Sequence, residues 1–155
     1  MSVRIQAEDF DLAKEVAALR GTSAQIGAVV TFLGLVRDVH GIDGNTVLSM
    51  ELEHYPGMTE KVLQELEEEV RKRWAVMDMV IIHRVGKLQP TDQIVLVAVC
   101  TQHRHDAFEA CAYAMDILKT RAPFWKKEAT GNGSHWVQAK SSDEDASAKW
   151  GKVFP

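Results

Sequence analysis

Apolar and polar positions along this chain change period several times, and each change marks an element. Ile26 to Gly34 (IGAVVTFLG) is an apolar run of strand length, and Thr46 to His54 (TVLSMELEH) is a second strand. Met79 to Gly86 (MVIIHRVG) and Gln93 to Thr101 (QIVLVAVCT) are two more, separated by KLQPTD, whose Pro90 and Asp92 signal a turn. Leu12, Val16 and Leu19 predict a short helix over 11–19. After Pro56 and Gly57, the residues Met58, Val62, Leu66, Val70 and Trp74 recur every four positions, which predicts a helix with a solvated Glu- and Lys-rich outer face.

A further helix runs from about Asp106 to Lys119, with Phe108, Cys111, Met115 and Leu118 directed inward. Pro123 cannot continue it, and Ala122 before the proline is biased toward extended backbone. Strands over 124–129 and 135–140 flank the turn GNGS, and SDEDASAKW (142–150) is a terminal helix with an acidic first turn. The polar, glycine-bearing segment RDVHGIDGN, from Arg37 to Asn45, is expected to be exposed and mobile. Hairpins mixed with helices indicate an α+β fold with a mainly antiparallel sheet.

Length and charge narrow the function classes. A chain of 155 residues is expected to form one domain over 1–155 with a proper core. Its net charge of −4 argues against a dedicated nucleic-acid binder, while leaving room for a local basic pocket. No apolar run approaches the roughly 20 residues that span a bilayer. The opening MSVRIQAEDF lacks the apolar segment of a signal peptide, so the expected address is the cytoplasm. Cys100 ends an apolar strand run and Cys111 lies on a helix stripe, so both read as buried, reduced packing residues.

Against this acidic background the run KTRAPFWKK stands out. It puts Lys119, Arg121, Lys126 and Lys127 within nine residues, with Pro123, Phe124 and Trp125 at the centre. Ammonium groups held beside rigid apolar groups lose water, and a desolvated lysine near a second amine is easier to deprotonate. The run is therefore a candidate anion pocket with a candidate base or nucleophile. It also fits a solvated basic turn that closes a helix, with Lys119 snorkelling at the edge of the apolar stripe. A second group, QHRHD, falls where a strand ends and a helix begins, so His103 and Arg104 are placed to grip an anion at a helix N-terminus. His103 and His105 lack the cysteines or acidic cluster that would complete a metal site, and no metal or cofactor is expected. His54 and His83, on or beside strand runs, read as structural histidines. A third group is FLGLVR, which sends Arg37 out from a strand end beside Gly34. Together the three groups suggest a cationic cleft for a small anionic substrate.

FLGLVR (Phe32–Arg37), LEHYPGM (Leu52–Met58), IHRVGKL (Ile82–Leu88), the pair His103–Arg104 and LKTRAPFWKKE (Leu118–Glu128) occur in that order. In this the chain strongly resembles the large, catalytic subunit of molybdopterin synthase over roughly residues 26–150. The resemblance implies an α/β-hammerhead-like fold with an extra small antiparallel sheet and flanking helices. It implies a sulfurtransferase of molybdenum cofactor biosynthesis that converts cyclic pyranopterin monophosphate to molybdopterin. Two sulfurs would come from the thiocarboxylated C-terminal glycine of a small ubiquitin-like partner subunit. Two large subunits would form the centre of a heterotetramer, with a small subunit at each end. Lys119 and Lys126 match the family's active-site lysines. Arg37, His103 and Arg104 match its substrate contacts, and Lys126, Lys127 and Glu128 belong to the same substrate-binding motif. Because the family's pocket forms where two large subunits meet, His103 and Arg104 would serve the neighbouring protomer. Leu35 and Lys140 depart from residues that some relatives carry.

Two rival readings use the same residues. A non-catalytic module that captures a phosphorylated metabolite or a partner's C-terminal tail needs similar cations. A single-strand binder stacking bases on Phe124 and Trp125 would need a longer basic stripe than this chain has.

Overall fold

The computed structural model describes residues 2–37, 49–130, 133–137 and 148–151, with the backbone alone for 128–130 and 133–137. The elements run β1 (Val3–Gln6), α1 (Leu12–Arg20), β2 (Ala28–Leu35), β3 (Ser49–His54), α2 (Met58–Arg73), β4 (Val76–Arg84), β5 (Gly86–Leu88), β6 (Gln93–Thr101), α3 (Arg104–Arg121), β7 (Phe124–Thr130) and β8 (Gly133–Val137). Among the described residues they build two four-stranded sheets, ordered β1-β4-β6-β2 and β5-β3-β7-β8. Only the β1–β4 pair is parallel, so the α+β, mainly antiparallel expectation holds.

β4 and β6 occupy the middle of the larger sheet and are covered on both faces, which is why they read as continuous apolar runs. Met79, Ile81, Val95, Val97 and Val99 pack with Leu63, Leu66 and Val70 of α2 and with α3 from Ala110 to Leu118. On the other face Val80, Ile82, Leu96, Ala98 and Cys100 pack with Phe10 and with Leu19 of α1. Burying apolar surface at about 25 cal/mol per Å² makes this two-sided core the main source of stability. The smaller sheet has its own cluster, in which Met50, Leu52 and Leu88 join Val36. Gly86, at φ +91°, makes the turn from β4 into β5 in a conformation that side chains disfavour.

Several expectations shift. The buried stripe of α2 is Thr59, Leu63, Leu66 and Val70, while Met58 is 51% exposed. A strict four-residue step drifts about 40° around a helix at each repeat, whereas the observed 4-3-4 spacing stays on one face. Trp74 is the C-cap of α2 and lies outside its helical span. On α3, Cys111, Met115 and Leu118 are buried as expected, but Phe108 is 61% exposed. The inward face is carried instead by Ala107 and Ala110 at that end of the helix. β1 and β5 were not foreseen, being only four and three residues long. The expected mobile loop 38–45, strand positions 46–48 and 138–140, most of the terminal helix and residues 152–155 lie outside the described residues. Among the described residues no helix is long and apolar enough to cross a membrane.

Candidate active site

α3 stops where the sequence says it must. Ala122 takes an extended conformation (φ −71°, ψ 126°) ahead of Pro123, and its amide closes the last turn on the Leu118 carbonyl at 3.1 Å. The turn that follows is fastened from outside. Thr59, fully buried in the first turn of α2, donates its hydroxyl to the Pro123 carbonyl at 3.1 Å and accepts the Tyr55 amide at 2.9 Å. The chain then enters β7, paired antiparallel with β3, with Phe124 opposite His54, Lys126 opposite Leu52 and Lys127 opposite Glu51.

Strand alternation separates the two lysines of the motif. Residues directly opposite one another share a face, and successive residues take opposite faces. Lys126 therefore shares a face with Leu52, which is 7% exposed, and is itself partly buried. Lys127 shares the other face with Glu51, which is flanked on its far side by Lys87 of β5. Glu128 takes its place in the ladder opposite Met50.

Lys119 lies in the last turn of α3, exposed, next to Leu118, which is 2% exposed. Its charge reaches His83 at the end of β4. Burial, with smaller contributions from Lys119 and His54 and against the opposing pull of the Arg84 carbonyl, lowers the imidazole pKa to about 4. The His83 ring lies flat on Phe124, centroids 3.8 Å apart and planes 17° from parallel. Phe124 is two residues from Lys126 on the same side of β7. The His83–Phe124 stack thus links the lysine at the helix end to the lysine on the strand.

The remaining cations divide between two ends of the molecule. Arg37 is exposed just past β2, where the Val36 amide donates to the Asp92 carbonyl at 2.9 Å, beside the start of β6. His83 pairs with Val95 at that same end. His103 is the exposed N-cap of α3 (φ −124°, ψ 150°) and Arg104 opens the helix, both just beyond the far end of β6. The Thr101 hydroxyl donates to the His103 carbonyl at 2.5 Å and fixes that junction. Lys119 lies fifteen helical positions beyond Arg104, about 22 Å along α3. The nine residues of β6 likewise hold the Arg37 and His103 ends about 26 Å apart. The one cleft suggested by the three basic segments does not form within a single chain. Arg37, Lys119 and Lys126 gather toward one end, His103 and Arg104 at the other, because a rigid helix lies between them.

Both cysteines are interior. Cys100 is fully buried and Cys111 is 4% exposed, its thiol directed to the Val97 carbonyl at 3.7 Å. Burial raises both thiol pKa values, that of Cys111 to about 11. Among the described residues no three His, Cys, Asp or Glu side chains gather as a metal set. Sequence reasoning set His83 aside as structural and passed over Thr59. The only available signal was that position 83 continues the buried row Met79–Ile81 of a strand; nothing marks Thr59.

Residues 5–121 match the model of the MoaE protein family. A protein of Ralstonia nicotianae named molybdopterin synthase catalytic subunit is 56% identical over 152 residues, covering 98% of this chain and 85% of its own length. A solved structure of the molybdopterin biosynthesis MoaE protein from Burkholderia ambifaria superimposes with a TM-score of 0.83 at 54% identity, covering 97% of both chains. The crystal structure of molybdopterin synthase from Staphylococcus aureus gives 0.79 at 35% identity, covering 86% of this chain and 95% of that one.

Proposed function

The chain belongs to the MoaE protein family, and on that premise we infer that it is the catalytic subunit of a molybdopterin synthase, a sulfurtransferase of molybdenum cofactor biosynthesis. The observation that carries the reading onto particular residues is the His83–Phe124 stack, with the Lys119 charge on one side and Lys126 two residues along β7 on the other. The substrate is cyclic pyranopterin monophosphate, and the sulfur arrives as a thiocarboxylate on the C-terminal glycine of a small ubiquitin-like subunit. Buried thiols with raised pKa values suit this arrangement, since neither cysteine is fit to carry sulfur.

In the proposed reaction the thiocarboxylate sulfur bonds to a side-chain carbon of the pterin as the carbon–oxygen bond at that carbon breaks, the oxygen leaving on the phosphate or as water. This leaves a thioester between that sulfur and the partner's terminal carbonyl. Water cleaves the thioester, releasing the partner as a carboxylate and leaving the sulfur on the pterin. A second thiocarboxylated partner repeats the step to complete the dithiolene. Lys119 and Lys126 hold the incoming anion and the charge that develops on the thioester carbonyl oxygen. Losing one such preorganised donor typically costs about 3 kcal/mol, on the order of a hundredfold in rate.

The substrate phosphate falls to Arg37, His103 and Arg104. Because some 22 Å of α3 keeps Arg104 from Lys119 in one chain, the complete site takes Lys119, Lys126 and Arg37 from one protomer and His103 and Arg104 from a second copy. The enzyme is then a central dimer with a small subunit at each end, working in the cytoplasm. The test is single-turnover conversion with thiocarboxylated small subunit, followed by mass spectrometry of the pterin. Lys119→Ala and Arg104→Ala homodimers should each be inactive while still binding the small subunit. Mixing the two should regenerate activity in heterodimers that hold one intact site. Near-normal turnover by Lys119→Ala would remove the lysine from the reaction, and failure of the mixture to recover would remove the shared site. A binding module without catalysis predicts no pterin product from any of these proteins.

A further inference from the structure

Histidine 83 lies at the seam between the two sheets. It is the last buried residue of β4, 3% exposed, on the face that carries Met79 and Ile81 toward the helices. Its Nδ1 is 2.8 Å from the Arg84 carbonyl, an acceptor, so that nitrogen carries the proton and the ring is fixed in orientation by its own strand. Phe124 covers the ring at 3.8 Å, nearly parallel. Phe124 is the first residue of β7, which belongs to the other sheet. It follows directly on Pro123, whose carbonyl Thr59 holds. A single aromatic contact thus ties the rigid central strand pair to the strand from which Lys126 projects, beside the helix end that bears Lys119.

We propose that His83 is a positioning residue of the lysine site: its oriented ring seats Phe124, and through Phe124 it sets the distance and direction between Lys119 on α3 and Lys126 on β7. This rests on the reading of the two lysines as the reacting pair. It assigns His83 no contact with substrate. An uncharged ring is suited to the task, because a cation in that place would repel Lys119, and burial keeps the imidazole neutral. The stack does what neither flanking element can do alone. The chain between the lysines passes through the extended Ala122–Pro123 link, whose path is not determined by helix or strand geometry.

Three variants separate positioning from bulk stability. His83→Asn keeps a side-chain N–H for the Arg84 carbonyl but removes the ring, His83→Phe keeps a ring to seat Phe124, and Val70→Ala opens a cavity in α2 far from the lysines. In single-turnover assays with thiocarboxylated small subunit, His83→Asn should lose on the order of 10- to 100-fold in the chemical step, because a displacement near 1 Å is enough. Its affinity for the small subunit should stay unchanged. His83→Phe should recover most of the loss, and Val70→Ala, though destabilised, should turn over normally below its melting temperature. A folded His83→Asn protein working at the wild-type rate overturns the proposal, as does an equal loss in Val70→Ala or no recovery in His83→Phe. Lys119→Ala in parallel keeps the two ideas apart. If it is inactive while His83→Asn is normal, only the positioning role falls; if it is active, the lysine reading falls first.

Discussion

The Thr59 hydroxyl donates to the carbonyl of Pro123, 64 residues away in sequence, while accepting the Tyr55 amide. One side chain therefore fastens the turn between α3 and β7 to the N-terminus of α2. Thr59→Val keeps the shape of this fully buried side chain but leaves the Tyr55 amide and the Pro123 carbonyl without their partner. It should cost about 1–3 kcal/mol in urea unfolding. Thr59→Ser, which keeps the hydroxyl, should lose much less. Turnover of Thr59→Val should fall as well, since the freed turn carries the lysines with it.

Lys126 and Lys127 occupy opposite faces of β7, beside Leu52 and Glu51 respectively. Their alanine variants should therefore be unequal. Lys126→Ala should lose on the order of a hundredfold in single turnover. Lys127→Ala, on the face where Glu51 also meets Lys87, should keep most of the activity. Equal losses would mean that the anion reaches both faces of the strand.

His83 makes folding sensitive to mild acid. Its folded pKa of about 4 lies below the 6.5 of an unfolded histidine, so the unfolded chain binds the proton first as pH falls. The contribution is complete above about pH 6.5, declines between 6.5 and 4, and levels off below that. It amounts to about 3 kcal/mol in total. Lys119 and His54 both bear on the ring, so the window itself depends on them. Denaturation midpoints between pH 7.5 and pH 4.5 should show the fall, and His83→Phe should flatten it.

Both thiols should be silent in the folded protein. A disulfide-exchange reagent at pH 8 should find neither Cys100 nor Cys111 until denaturant is added, because both are buried and both pKa values are raised. A Cys100→Ala, Cys111→Ala double variant, if folded, should transfer sulfur at close to the normal rate. Prompt labelling of either cysteine in the native state would reopen the question of a protein-borne sulfur.

Much of this was written in the chain, and the reason is local. β4 and β6 announce themselves because a strand buried on both faces is apolar without interruption, and α3 ends where Pro123 forbids another helical bond. Cys100 and Cys111 sit inside because their apolar neighbours do. The ordered motifs ending in LKTRAPFWKKE carried the family and the two lysines. Tertiary structure decided everything that depends on phase or distance. An i, i+4 count cannot tell Met58 from Thr59, since neighbouring positions on a helix differ by only about 100° and packing selects which one turns inward. Adjacency in sequence grouped Lys126 with Lys127, and the β pleat put them on opposite faces. Similar chemistry grouped His103 and Arg104 with the lysines, and the length of α3 holds them apart within one chain. His83 looked like any buried histidine until folding laid Phe124 across it, because a contact between two sheets leaves no trace in either strand's own pattern.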